Sequence, residues 1–361
     1  MKVGIVGIAT SGKSTIFNAL TRGQADTGRF GSARAEINRG RILVPDPRLE
    51  WLAGLYLPKK KTPAVVDFLD FPAVPTGSSG KGVAGQIADL RGVDALLHVV
   101  RVFGDPAVPH PNERVDPLRD ARFLDSEFLL ADLAVVEKRL ERIEVDLKKG
   151  LDKAKLGDER ETLRRVQASL ESEVPVRSLE LAPAERQMLR GYAFLTEKPV
   201  IVIGNVSEDE SSGGESDAGL RSYADERGMT YLPVSAQIES EIARMDEREA
   251  GVFLKDLGIG ESSRDRVIRA AFDQLSLISF FTFGEDECKA WTLTRHAGSV
   301  EAAGKIHSDI ARGFIRAEIV GFGDFAEAGS WNAAKEAGKH RLEGRDYEMQ
   351  DGDCVIFRFN V

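Results

Sequence analysis

The chain has 361 residues, of which 42% are hydrophobic and 30% charged, and its formal net charge is −9. This length and composition predict a globular protein with two or three domains, and no apolar run reaches the roughly 18 residues that a membrane-spanning helix needs. The negative charge argues against a protein that coats nucleic acid over its whole surface. Cys288 and Cys354 are too few for a disulfide framework, and five histidines show no metal-site spacing. With no signal pattern at the N-terminus, we expect a cytosolic protein that does not bind membranes.

The first predicted element is a short buried strand, residues 2–6, which leads into a phosphate-binding loop and a helix. Residues 7–14 read GIATSGKS and match G-x-x-x-x-G-K-[ST] in full. In such a loop, backbone N–H groups at the helix N-terminus face the phosphates, Lys13 neutralises the β and γ oxygens, and the Ser14 hydroxyl binds Mg²⁺. The loop therefore predicts a site for a nucleoside triphosphate and Mg²⁺, formed by Ala9, Thr10, Ser11, Gly12, Lys13, Ser14 and Thr15.

Further apolar segments at 41–45, 64–70, 95–103 and 199–204 predict strands of a mostly parallel sheet with helices on both faces. One of them ends in Asp70, where the Mg²⁺-binding aspartate of such proteins belongs. The last runs into Asn205-Val206-Ser207-Glu208, at the place of the guanine-reading N-K-x-D loop of GTPases. The lysine is absent and a longer acid replaces the aspartate, so we expect weak recognition of guanine.

With this N-x-x-E loop the chain resembles the YchF / Obg-like ATPase family, whose members prefer ATP. The resemblance covers essentially the whole chain, because family signatures recur in order at 45–49, 98–101, 303–307, 313–317, 334–339, 351–353 and 359–361. It implies binding of ATP with Mg²⁺, the latter at Ser14 and Asp70, and slow ATP hydrolysis on ribosomes with Lys13 and His110 as catalytic residues. It also implies that the base lies against Asn205, Val206, Glu208, Ser235 and Ala236.

The family architecture is an α/β P-loop NTPase G domain with an inserted helical coiled-coil hairpin and a C-terminal β-grasp, ubiquitin-like TGS domain. It implies a first part of the G domain at 1–117, the arm at 118–195, the rest of the G domain at 196–276 and the TGS domain at 277–361. The residues support the arm independently, because Leu129, Leu133, Val136, Leu140, Ile143 and Leu147 follow the a/d spacing of a coiled coil. A return helix is predicted with Leu163, Val166 and Leu170. Aromatic and β-branched runs at 278–283 and 354–359 predict strands around a helix at 300–312.

Residues 148–157, KKGLDKAKLG, form the predicted arm tip. Two interpretations stay open: the tip is a solvated end of a rigid appendage, or it contacts an anionic partner such as ribosomal RNA. The resemblance implies a monomer that meets the ribosome through the tip and the TGS domain.

The two switch segments depart from the family pattern. The Mg²⁺-contacting threonine of switch I falls at Arg34, and an arginine cannot coordinate the metal, although it can bind a phosphate oxygen. The D-x-x-G motif of switch II appears as Asp70-Phe71-Pro72-Ala73, followed by Val74. Ala73 resists the positive φ that glycine adopts. We therefore expect either a slow ATPase or a non-hydrolysing, ATP-responsive binding module, whereas a GTPase would require a guanine specificity that Asn205–Glu208 does not support.

Overall fold

The computed structural model describes residues 1–22, 37–77, 85, 87–210, 214–256 and 261–360. The chain divides into two compact units. The first comprises Met1–Arg41 and Asp67–Ala270, and the second comprises Ile42–Val66 and Ala271–Val361. Among the described residues, every helix is too short or too polar to span a bilayer.

The first sheet has six strands in the order β2-β4-β1-β5-β6-β7. Strand β1 pairs in parallel with β4 and β5, β5 with β6, and β6 with β7, so their carboxyl ends lie at one edge. The strands are β1 (Lys2–Val6), β2 (Asn38–Leu43), β4 (Val65–Asp70), β5 (Ala95–Arg101), β6 (Val200–Asn205) and β7 (Thr230–Val234).

In the first unit, helices follow β1, β5, β6 and β7 along the chain. They are α1 (Lys13–Thr21), α3 (Pro117–Lys148), α4 (Lys153–Glu171), α5 (Pro183–Leu189), α6 (Ala218–Glu226), α7 (Ala236–Ile242), α8 (Glu247–Asp256) and α9 (Ser263–Gln274). One core cluster joins the sheet to α3 and α6 through residues such as Leu96, Val100, Leu124, Phe128 and Leu220.

Helices α3 and α4 form a hairpin of 32 and 19 residues. Each begins at an aspartate: Asp116 accepts a hydrogen bond from Arg119 N, and Asp152 accepts one from Lys155 N. The seam between the helices buries Leu129, Val136 and Ile143 from α3 and Leu163, Val166 and Leu170 from α4. Leu133, Leu140 and Leu147 pack against this cluster, so the residues of the predicted seam meet in the structure.

The second unit contains a six-stranded sheet in the order β11-β10-β12-β8-β9-β3. Its strands are β3 (Lys60–Thr62), β8 (Leu277–Thr282), β9 (Glu287–Thr294), β10 (Phe314–Gly321), β11 (Arg341–Glu343) and β12 (Asp353–Phe359). Its helices are α2 (Pro47–Tyr56), α10 (Ser299–Ile306), α11 (Ser308–Arg312), α12 (Phe322–Ala328) and α13 (Trp331–Glu336). Cys288 and Cys354 are buried free thiols in this unit.

Residues 42–66, which the resemblance assigned to the first part of the G domain, belong to the second unit. Strand β3 pairs in parallel with β9, with Lys60 opposite Glu287. On α2, the Trp51 ring meets Phe322 and Phe325 edge-on, at centroid distances of 5.5 and 5.7 Å. Aromatic packing and strand pairing therefore hold this segment in the second unit.

Candidate nucleotide-binding site

The phosphate loop joins β1 to α1 and leaves no room for side chains at its two motif glycines. Gly12 precedes α1 with φ 89°, and a Cβ there would lie 2.1 Å from Asn205 Nδ2. A Cβ on Gly7 would lie 2.6 Å from the Val99 carbonyl oxygen. Both positions therefore need glycine, Gly12 for its conformation and both for the close approach of neighbouring atoms.

Lys13, Ser14 and Asp70 form one cluster at the carboxyl edge of the sheet. Lys13 Nζ lies 3.1 Å from Asp70 Oδ1, and Ser14 Oγ donates to Asp70 Oδ2 at 2.9 Å. Asp70 reaches them because β4 lies beside β1, with Ile5 opposite Asp70. The cluster thus combines a cation with two oxygen ligands.

The Asp70 carboxylate and the Ser14 hydroxyl suit Mg²⁺ as ligands. Proteins hold this ion through one or two side-chain oxygens, while phosphates and water complete its coordination shell. Asp70 is 4% exposed, so its carboxylate is shielded from bulk water. Within the described ranges, no three His, Cys, Asp or Glu side chains come together as a metal site. Ser14 and Asp70 are therefore the residues that could hold the metal beside a triphosphate.

Asn205 connects the phosphate loop to the turn between β7 and α7. Its Nδ2 donates to the Ser11 carbonyl oxygen at 2.9 Å, and its Oδ1 accepts from Ala236 N at 3.1 Å. The neighbouring Ser235 caps α7, because its Oγ accepts from Ile238 N at 3.4 Å. The structure therefore brings Ser11, Asn205, Ser235 and Ala236 together around one buried amide.

The other residues predicted to contact the base differ in exposure. Val206 is 2% exposed, and its side chain packs in the core cluster of the first unit. Glu208 is exposed and begins a short 3₁₀ turn, Glu208–Glu210. Of these two side chains, the Glu208 carboxylate is the one that a ligand can reach in this structure.

His110 is buried against the first turn of α3. Its Nδ1 accepts from Asn112 N at 3.1 Å, and its Nε2 lies 2.9 Å from Asp120 Oδ2 without hydrogen-bond alignment. The other carboxylate oxygen of Asp120 accepts from Arg119 Nε at 2.9 Å. These contacts place His110 in a charged cluster at the base of the arm, and its part in hydrolysis stays a prediction.

Switch II hydrogen-bonds back to the phosphate loop. Val74 N donates to the Gly7 carbonyl oxygen at 3.0 Å, Val74 forms a parallel bridge with Ile8, and its side chain is 2% exposed. Arg34, the residue at the switch I position, lies outside the described residues.

Sequence reasoning missed the contact between Gly204 and Tyr231, which lies directly before the loop predicted to contact the base. A Cβ on Gly204 would lie 2.1 Å from the Tyr231 hydroxyl oxygen, and that hydroxyl donates to Asp217 Oδ2 at 2.5 Å. Burial, followed by the hydrogen bond to Asp217, raises the pKa of Tyr231. The available signal was a glycine at the end of an apolar strand, a pattern that marks a close approach.

Comparison with known proteins identifies the family. The family model YchF-GTPase_C, described as "Protein of unknown function (DUF933)", matches residues 277–360, and the model MMR_HSR1, described as "50S ribosome-binding GTPase", matches residues 2–138. The ribosome-binding ATPase YchF of Bacillus subtilis is 42% identical over 366 residues, covering 100% of both chains. The chain belongs to the YchF family.

Other YchF proteins agree with this assignment. The ribosome-binding ATPase YchF of Haemophilus influenzae is 41% identical, covering 100% of this chain and 99% of its own. The structure of the Schizosaccharomyces pombe YchF GTPase superposes with a TM-score of 0.87 at 30% identity, covering 99% of this chain and 97% of that one. The resemblance inferred from the motifs and the expected P-loop α/β fold are thereby confirmed.

Proposed function

We propose that this protein binds ATP with Mg²⁺ and hydrolyses it slowly, as a nucleotide-dependent switch on ribosomes. The cluster of Lys13, Ser14 and Asp70 at the phosphate loop carries the proposal, because it combines the groups that a triphosphate and its metal require. The names of the Bacillus subtilis and Haemophilus influenzae relatives, both ribosome-binding ATPases, support the nucleotide and the partner.

The phosphates would lie at the N-terminus of α1. Its first turn contains no acidic residue, so free N–H groups and the helix dipole favour an anion there. Lys13 would exchange its contact with Asp70 for the β and γ oxygens, which carry more negative charge. Mg²⁺, when bound, would neutralise charge on the same oxygens, and Ser14 and Asp70 would hold it.

The base would lie beside the loop that begins at Asn205. The Asn205 amide fixes the phosphate loop and Ala236 in one arrangement, and Glu208 is the exposed acid that follows. A glutamate without the neighbouring lysine of N-K-x-D does not match the guanine edge, so we assign ATP as the preferred nucleotide. Ser235 and Ala236 would line the other side of the base.

A second candidate is a binding module that responds to ATP without hydrolysing it. It is supported by the altered switch II motif, where Ala73 replaces the glycine of D-x-x-G and resists the positive φ that glycine adopts. In this second function, ATP occupancy alone would change the affinity for a partner.

We assign the partner contact to the arm tip, residues 148–157, and to residues 277–361, which we propose to be a TGS domain. Lys148, Lys149, Lys153 and Lys155 are all exposed at the tip. Clustered exposed lysines fit the phosphate backbone of ribosomal RNA. We propose further that the protein acts as a cytoplasmic monomer, with the arm at 118–195 as the family architecture implies and with residues 42–66 outside the G domain.

The proposal is tested by single-turnover ATP hydrolysis with and without bacterial ribosomes. A burst of phosphate in the presence of ribosomes supports the ATPase, whereas stoichiometric, unhydrolysed ATP under both conditions supports the second candidate. Lys13→Ala should weaken ATP binding by about ten- to a hundredfold, because a charge-assisted hydrogen bond contributes about 1.5–3 kcal/mol. Lys255→Ala, an exposed lysine of α8, serves as the matched control. Equal ATP affinities for the two variants would contradict the assignment of the phosphate site.

A further inference from the structure

Arg101, the last residue of β5, is a buried arginine without an acidic partner. It is 1% exposed, and no carboxylate of the described residues lies within ion-pair distance of it. Its Nε donates to the Phe103 carbonyl oxygen and its Nη2 to the Asp105 carbonyl oxygen, both at 3.2 Å. The guanidinium carbon lies 4.4 Å from the centroid of the Phe103 ring, and Nη1 is buried without a hydrogen-bond partner.

Such a side chain is costly to bury. A charged group that loses water without gaining an opposite charge is destabilising by several kcal/mol, and two carbonyls and one ring offset only part of that. Val99 and Val100, its neighbours on the strand, show that apolar residues fit β5 well. A residue that breaks the local pattern in this way indicates a role other than stability.

The position of Arg101 connects it to the nucleotide site. In the sheet Arg101 lies opposite Asn205. The Asn205 carbonyl oxygen accepts hydrogen bonds from Val102 N at 2.8 Å and from Phe103 N at 3.0 Å. Arg101 therefore fixes the segment 102–105, this segment fixes the Asn205 backbone, and the Asn205 side chain holds Ser11 and Ala236.

We propose that Arg101 is a positioning residue that sets base preference by holding segment 102–105 against Asn205. The inference rests on the proposed function, because it explains how the loop after Asn205 selects ATP over GTP. Without the guanidinium, segment 102–105 loses two hydrogen bonds and a stacked cation. The loop after Asn205 then adopts several orientations and no longer distinguishes the bases. Nucleotide binding depends instead on the phosphates, which ATP and GTP share.

The test compares Arg101→Met, which keeps length but cannot donate, with Arg101→Lys and with Arg139→Met. Arg139 is a suitable control because its guanidinium bonds the Glu159 carboxylate within the arm. The readout is the ratio of the GTP and ATP dissociation constants, measured with the full chain. Arg101→Met should shift this ratio toward one by about fivefold or more, Arg101→Lys should shift it less, and Arg139→Met should leave it unchanged.

Amide hydrogen exchange gives a second readout that needs no nucleotide. Arg101→Met should speed exchange at Val102 and Phe103, whose N–H groups bond Asn205, and leave the amides of β1 unchanged. A variant that melts earlier but keeps the ratio and the exchange rates would overturn the proposal in favour of a structural role. If the unmodified protein shows no ATP preference, the proposed base preference fails, and exchange at these two amides still decides the role of Arg101.

Discussion

His98 lies in the middle of β5, is 3% exposed, and stays neutral at physiological pH. Burial lowers the pKa of its imidazole to about 4, and the negative charges of Asp125 and Asp120 offset only part of that effect. A neutral buried histidine packs as an aromatic residue, but it must gain a proton when the protein unfolds in acid. This residue thus connects the stability of the sheet to pH.

We predict that His98 makes the protein less stable as pH falls from 6.5 to 4. In this window the unfolded chain, with an ordinary histidine pKa of about 6.5, binds more protons than the folded one, whose pKa is about 4. The contribution of His98 to the free energy of unfolding is complete above pH 6.5, and about 2 kcal/mol of that contribution is lost between pH 7.5 and pH 5. Urea unfolding at pH 7.5 and at pH 5 measures the effect. Between these two pH values, the free energy of unfolding should fall by about 2 kcal/mol less for His98→Leu than for the unmodified protein. Equal losses would contradict the prediction.

At the scale of residues, the sequence predicts chemistry that depends on local spacing. Lys13 and Ser14 follow from one eight-residue motif, and Asp70 follows from the acid at the end of a strand. The role of Arg101 could not be recognised, because it depends on the pairing of β5 with β6, which brings Asn205 opposite it. The glycine at the end of β6 indicates a close approach, but the sequence does not show that Tyr231 is the residue that approaches it. From the sequence alone, an arginine in an apolar strand would be assigned to an exposed edge of the sheet, because the partners that bury it are not known.

At the scale of elements, Asp132 joins the arm to the sheet. It lies on α3 with 0% exposure, and one carboxylate oxygen accepts from Arg91 Nη1 at 2.8 Å and from Leu195 N at 3.1 Å. The other accepts from Thr196 N and Thr196 Oγ1, both at 2.8 Å. Because residues 195–196 precede β6, this carboxylate fixes α3 to the entry of the strand that carries Asn205.

We expect Asp132→Ala to lower the free energy of unfolding by about 3–5 kcal/mol, because it leaves a guanidinium and three further donors without their partner. Asp132→Asn, which keeps shape and one acceptor, should cost less. Glu137→Ala, an exposed acid on the same helix, should stay within about 0.5 kcal/mol of the unmodified protein. Chemical denaturation of the three variants checks the order, and an unchanged Asp132→Ala protein would refute the role of this carboxylate.

Hydrophobic periodicity predicts the packing of α3 against α4, but it does not predict where α2 and β3 lie. The seam of α3 and α4 follows from leucine spacing, because both helices bury the same stripe against each other. Periodicity could not assign α2 and β3 to the second unit, because their partners lie far along the chain. Trp51 packs on Phe322, and Lys60 pairs with Glu287. Local pattern fixes the type of an element, whereas its place depends on residues distant in sequence.

At the scale of the whole molecule, the exposed lysines of the arm tip are the feature that helix stability does not explain. Lys153 and Lys155 lie in the first turn of α4, which contains no acidic residue. The helix dipole disfavours cations at this end by about 0.3–1 kcal/mol each, so the isolated helix gains nothing from them. Their placement is accounted for if the tip binds an anionic partner such as ribosomal RNA.

We predict that Lys153→Ala with Lys155→Ala weakens ribosome binding while ATP affinity stays unchanged, because the tip and the phosphate loop are separate sites. If both lysines contact phosphates, the slope of log affinity against log salt should fall in magnitude by about 1.4–1.8, since each contact releases counterions. The matched control is Lys138→Ala with Arg142→Ala, which removes two exposed charges from α3 outside the tip. Co-sedimentation with ribosomes over a salt series measures the slopes. A slope equal to that of the control would show that the tip is a solvated appendage and that the ribosome contact lies elsewhere in the chain.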